Sequence, residues 1–200
     1  MITQQAIASA LVVVLVAQTT PVVGQANVEL RDELVALRES DQSGRMLIQE
    51  AFREHGHDSP EVMALWEKQS QADAKNLARL REIISEHGWP GQSLVGRDGA
   101  TAAFLILQHA DHETQVEYLP LVKAAVEAGE FERRRFALLQ DRVLVGEDKP
   151  QVYGTQLYWD DETGKLELFP IEDEENVDSR REEIGMMPLA EYVELVRGSN

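Results

Sequence analysis

Asp41 and Arg45 stand four residues apart, and Asp73 and Asn76 three apart, in stretches whose other repeating positions are apolar. Charged groups on stripes that should face a core cost several kcal/mol per buried ion unless they are paired and hydrogen-bonded. Their placement therefore implies that they meet. Gln42 accompanies Asp41, Gln108 and His109 close a third apolar run, and Asp141 and Arg142 fall near the end of a further helical stretch. Gln151, Tyr153 and Gln156 belong to a segment rich in Tyr, Val, Thr and Trp. Carboxylates, amides, an imidazole, a phenol and guanidinium groups suit acid–base chemistry on a polar ligand such as a peptide or sugar. In a hydrolysis, His109 or Asp73 would act as base, Tyr153 as donor and Arg45 as anion stabiliser. The same groups would equally serve a binding module without catalysis, with Asp41, Gln42, Asn76, Gln108, Asp141, Arg142, Gln151 and Gln156 holding the ligand between helices. A third reading is purely structural: Asp41 and Arg45 neutralise each other and fix helix register, and Asp73 and Asn76 complete the hydrogen bonds.

Other chemistries lack their residues. The chain has no cysteine, which removes disulfide scaffolds, zinc ribbons and cysteine nucleophiles. His109, Asp111 and His112 do not follow a zinc-site order, and Asp111 is better placed as a helix cap, so no metal and no cofactor is expected. No Gly-x-Ser-x-Gly elbow occurs, and Gly91–Gly99 lacks the Gly-Lys-Ser/Thr ending of a phosphate loop. His55, His57 and His87 fall at helix ends and receive no role, and the acidic run Glu172–Glu175 reads as a solvated loop.

The elements that must position these groups are mainly helical. Leu30, Leu34, Leu37, Ile48 and Phe52 have helical spacing, which predicts a first helix from Val28 to about Arg53. Ser59 before Pro60 opens a second, and Gly88 with Pro90 stops it after His87. Asp41 lies sixteen residues before His57 and Asp73 sixteen after it, so in an antiparallel pair both sit roughly 24 Å from the turn, facing each other. Gly91–Gly99 reads as a connection and Ala100–Leu107 as a third helix reaching His109. Asp111 caps a fourth helix running to Glu127, and Phe131–Val145 is a fifth. Gln151–Trp159 and Leu166–Pro170 predict a β-hairpin, followed by a short helix near Arg180 and a last one over Pro188–Arg197. The expected fold is mainly α, a helical bundle over 27–148 with a C-terminal β-hairpin and terminal helices over 149–200, forming a single domain. Gln151, Tyr153 and Gln156 are expected to approach Gln108 and His109 over a floor of Asp41, Arg45, Asp73 and Asn76.

The 200 residues carry 36 acidic and 19 basic side chains, a formal net charge of −17. Such a chain repels phosphate backbones and anionic membranes, so nucleic acid is not an expected partner, and neither is a membrane beyond the first segment. That segment, Met1–Ala26, holds no charged side chain and contains the apolar run Ile7–Ala17. It reads as a signal peptide cleaved after Ala26, with an uncleaved anchor as the alternative, and places the protein in the periplasm or outside the cell. A cysteine-free chain suits that location. Oligomeric state is left open.

Several motifs recur in a familiar order: Asp41-Gln42 with Arg45, Asp73 with Asn76, Gly88-Trp89-Pro90, Val95-Gly96 and Gln108-His109 with Asp111. Asp141-Arg142 and Gln151 with Tyr153-Gly154-Thr155-Gln156 come next, then Pro170–Asp173 and Val177-Asp178 with Arg180-Arg181. In this order they resemble an uncharacterised bacterial family of domains of unknown function, family 6624. The resemblance implies no activity. It does imply that the polar positions picked out by periodicity coincide with the family's own motif residues, which favours a functional pocket.

Overall fold

The computed structural model describes residues 27–56, 58–160, 162 and 164–198. The expected signal peptide and His57 lie outside the described residues. The described residues fold as seven α-helices with one two-stranded antiparallel hairpin near the C-terminus, a mainly α architecture.

Two helices of 28 residues each come first, α1 over Val28–His55 and α2 over Pro60–His87. Their ends are set by local chemistry. The side chains of Asn27 and Ser59 accept the N–H of Leu30 and Val62, Pro60 occupies the first turn of α2, and Gly88 ends α2 at φ 73°. The two helices meet along a seam whose buried residues recur every seven: Leu34, Asp41 and Ile48 on α1, and Val62, Gln69, Asn76 and Ile83 on α2. A seven-residue repeat is the pattern of a two-helix seam. Its middle layer is polar.

Helix α3 spans Gln92–Gln108, broken at Gly96, whose φ of 67° and ψ of 174° are not helical. Gly91–Gly99 is therefore more than the connection expected, because a helical turn forms before the break and buries Val95 completely. Gly96 is needed there, since φ in this range disfavours any side chain. Asn27 N–H donates to Leu94 O at 2.6 Å and ties this turn to the start of α1. Helix α4, His112–Glu127, is capped by Asp111, and α5 covers Arg133–Gly146. Leu30, Leu34, Leu80, Ile83, Phe104, Leu107, Val122 and Leu139 bury the main core, and Trp89, Phe131 and Phe104 stack in a chain beside it.

The hairpin is shorter than its sequence suggests. Strand β1 is Leu157–Asp160 and β2 is Lys165–Leu168, with Leu157 opposite Leu168. Gln151–Gln156 is not strand but a loop, tied to the returning chain by a bridge between Gln151 and Ile171 and by the Phe169 N–H, which donates to Gln156 O at 3.3 Å. The expected strand fails there because the loop's N–H groups turn inward to a carboxylate, as described below. A 3-10 turn at Glu174–Asn176, α6 over Val177–Glu183 and α7 over Leu189–Gly198 complete the chain.

Candidate functional site

The polar layer of the α1–α2 seam centres on Asp41, which is 2 % exposed. Its Oδ1 accepts Arg45 Nε at 3.0 Å and Gln69 Nε2 at 3.1 Å, and its Oδ2 accepts Gln42 Nε2 at 2.7 Å. Arg45 Nη2 also donates to Asp73 Oδ2 at 2.9 Å, and Gln69 Nε2 to Asp73 Oδ1 at 2.8 Å. Gly44 admits Gln69 between the helices, because a Cβ there would collide with Gln69 Oε1. His109, the residue that caps α3, closes the cluster with Nδ1 3.2 Å from Asp41 Oδ2. The ring nitrogen is buried and forms no hydrogen bond among the described residues, so the two groups are in close contact without a well-aligned bond. Burial by itself would raise Asp41. The His109 contact, the Gln42 amide and the Arg45 charge prevail and hold it down at about 2.

The structure thus brings together Asp41, Gln42, Arg45, Asp73 and His109, and adds Gln69. The seam residue on α2 is Gln69, with Asp73 at its half-buried flank. Asn76 is buried one heptad farther on but makes none of the network's hydrogen bonds. Arg45 is held by two carboxylates, through Nε and Nη2, which already balance its charge.

A second buried carboxylate organises the C-terminal loop. Asp141 on α5 is completely buried and receives the N–H of Val152 at 2.8 Å, of Tyr153 at 3.1 Å and of Thr155 at 3.0 Å, and the Thr155 hydroxyl at 2.9 Å. Burial pushes the Asp141 carboxyl up from its ordinary value, and these donors pull it back. Gln151, also fully buried, clamps the same loop. Its amide donates to Gln156 O and Phe169 O and accepts Gln156 N–H at 2.8 Å. Gly154, at φ 69°, passes under Leu189 and Ile171, where a side chain would not fit. Arg181, fully buried, donates to Tyr153 O and lies 5.0 Å above the Tyr192 ring. Asp141 and Gln151 are thus spent on positioning the loop. The Tyr153 side chain lines a separate cavity of about 270 Å³ with Lys123, Arg133 and Phe136, and so does not join His109 as expected.

The loop delivers Gln156 to the far side of Arg142. Arg142 Nη1 donates to Gln108 O at 2.8 Å and Nε to Gln156 Oε1 at 3.4 Å. The Gln156 amide in turn donates to the Thr155 hydroxyl at 2.9 Å. These three side chains line an open cavity of about 380 Å³, with Tyr192 from α7 and an apolar wall of Leu138, Leu157, Leu166 and Trp159. The Tyr192 hydroxyl donates to Thr155 O at 3.0 Å. Burial pushes the Arg142 guanidinium down from its ordinary value, opposed only by Tyr192. Trp159 and Tyr192 were not singled out from the sequence. They reach the cavity from the hairpin and the last helix, and no local spacing ties them to Gln108.

The sequence model of a family of unknown function, DUF6624, matches residues 28–199. The chain belongs to this family. Both sites lie inside the DUF6624 match, and the resemblance read from the motifs is confirmed at that level. No curated protein and no solved structure matches the chain.

Proposed function

We propose that this DUF6624 protein is an exported ligand-binding module that seats a small polar ligand, a peptide or sugar in class, in the cavity between α3, α5, the hairpin and α7. The observation that carries the reading is the convergence of Gln108, Arg142, Gln156 and Tyr192, from four separate elements, on one open cavity that also has an apolar wall. A few placed polar groups against apolar surface is the usual make-up of a small-molecule site. Asp141 and Gln151 serve it by holding the loop that presents Gln156. The uncharged segment 1–26 supports export, and no helix of the described residues is long and apolar enough to cross a membrane.

A thermal-shift screen of the purified protein against peptides, amino acids and sugars tests the reading, because a ligand that binds the folded state raises the melting temperature by mass action. Stabilisation that is lost in Gln156→Ala supports it, and a panel without effect contradicts it.

A second reading, acid–base hydrolysis, is favoured by one contact, the 3.2 Å approach of His109 Nδ1 to buried Asp41. A carboxylate behind an imidazole orients a general base. In this reading His109 is the base and Asp41 its positioning residue. His109→Ala would then abolish turnover of a substrate that still binds.

A further inference from the structure

The cavity at Arg142 adjoins another of about 380 Å³, and the two share Trp159 and Leu166. The second is lined by Lys165 and Arg197. Acidic side chains outnumber basic ones by 36 to 19 in this chain, yet among the described residues the joined lining holds three cations and no carboxylate. Arg197 is partly answered by Glu167 at 3.6 Å and Glu194 at 3.9 Å. Arg142 is not. Among the described residues no carboxylate lies within ion-pair distance of it, and its protein partners are a backbone carbonyl and an amide oxygen, both neutral. Nη2 makes no hydrogen bond among these residues and is not sealed from solvent. A guanidinium whose Nε and Nη1 are held in place while Nη2 is free is prepared for a charge-assisted bond from Nη2 to an oxyanion.

From this lining we infer that the ligand carries an oxyanion, a carboxylate or a phosphate, which docks on Arg142 Nη2 while its uncharged body crosses Trp159 and Leu166 toward Lys165 and Arg197. The inference rests on the ligand-binding reading and specifies its ligand class. The rest of the molecule is strongly negative, so an anion is met favourably only where cations are local. Arg142 serves both as anchor and as the element that excludes neutral analogues.

Isothermal titration of the full protein with two matched pairs tests this: N-acetyl-leucine against N-acetyl-leucinamide, and glucose 6-phosphate against glucose. At least one anion is expected to bind about tenfold or more tightly than its neutral partner. Which pair responds tells carboxylate from phosphate. Binding of that anion should weaken with added salt and fall about tenfold in Arg142→Gln, with Arg142→Lys retaining part of it. The salt dependence of the unaltered protein decides the matter if Arg142→Gln does not fold. Neutral members binding as tightly as the anions would overturn the oxyanion inference and leave the ligand-binding reading standing. Silence of all four probes would overturn the inference, and silence extending to the wider thermal-shift panel would remove the reading as well.

Discussion

Nδ1 of His109 and Oδ2 of Asp41 lie 3.2 Å apart, which joins the end of α3 to the polar layer between α1 and α2. The contact makes acid stability a property of three helices. Asp41 is held at about 2, below the usual carboxylate value. Its contribution is therefore fully present above about pH 4 and is lost as pH falls toward about 2, a loss of about 2 kcal/mol. Urea unfolding from pH 2 to 6 should show this loss in the native protein and a flatter profile in Asp41→Asn. His109→Gln, which lets Asp41 in the folded state rise toward its ordinary value, should make the loss smaller, and an unchanged profile in both variants would show that Asp41 does not titrate in this way.

Asp41 and Arg45 should be strongly coupled. Asp41→Ala leaves Arg45 and Gln69 short of an acceptor inside the seam, and we expect a loss of about 3 kcal/mol. Adding Arg45→Ala should cost little more, giving a coupling energy of about 1–3 kcal/mol in a double-mutant cycle. Additive losses would mean that the two side chains act independently.

Gly44 offers a test of sign. In an ordinary helix Gly→Ala stabilises by about 1 kcal/mol. Here the new Cβ must expel Gln69 from its bonds to Asp41 and Asp73, so Gly44→Ala is expected to destabilise by about 1–2 kcal/mol in denaturant unfolding. A stabilised variant would show that Gln69 is free to move.

Asp141 should act on the loop first. Asp141→Ala removes the acceptor of three backbone N–H groups and one hydroxyl, and a loss of about 3–5 kcal/mol is expected. In hydrogen exchange the amides of Val152, Tyr153 and Thr155 should lose protection before those of Phe104 or Leu107.

Much of the scaffold is legible in the sequence because local chemistry sets it. Ser59-Pro60, Gly88 and Asp111 mark helix ends by their own hydrogen bonds and dihedral preferences, and all three act as caps. The meeting of Asp41, Arg45 and Asp73 also follows from equal distance to one turn. Gln69 is harder to read, because choosing between it and Asp73 requires the helices' relative rotation, which the seven-residue repeat sets and single-helix periodicity does not. The Gln151–Gln156 segment misleads for a different reason. Its β-prone composition is overridden by Asp141, ten residues upstream of Gln151, whose carboxyl oxygens draw the backbone N–H groups inward. Trp159 and Tyr192 carry no local signal at all.

Backbone and side-chain chemical-shift mapping of the labelled protein, titrated with the tightest-binding ligand of the panel, places the ligand on the fold. The expected result is a contiguous set of shifts at Gln108, Arg142, Gln156, Tyr192 and the Trp159 indole, with the α1–α2 seam around Asp41 unmoved. Shifts confined to that seam, or to the Tyr153 cavity, would contradict the assignment of the binding site.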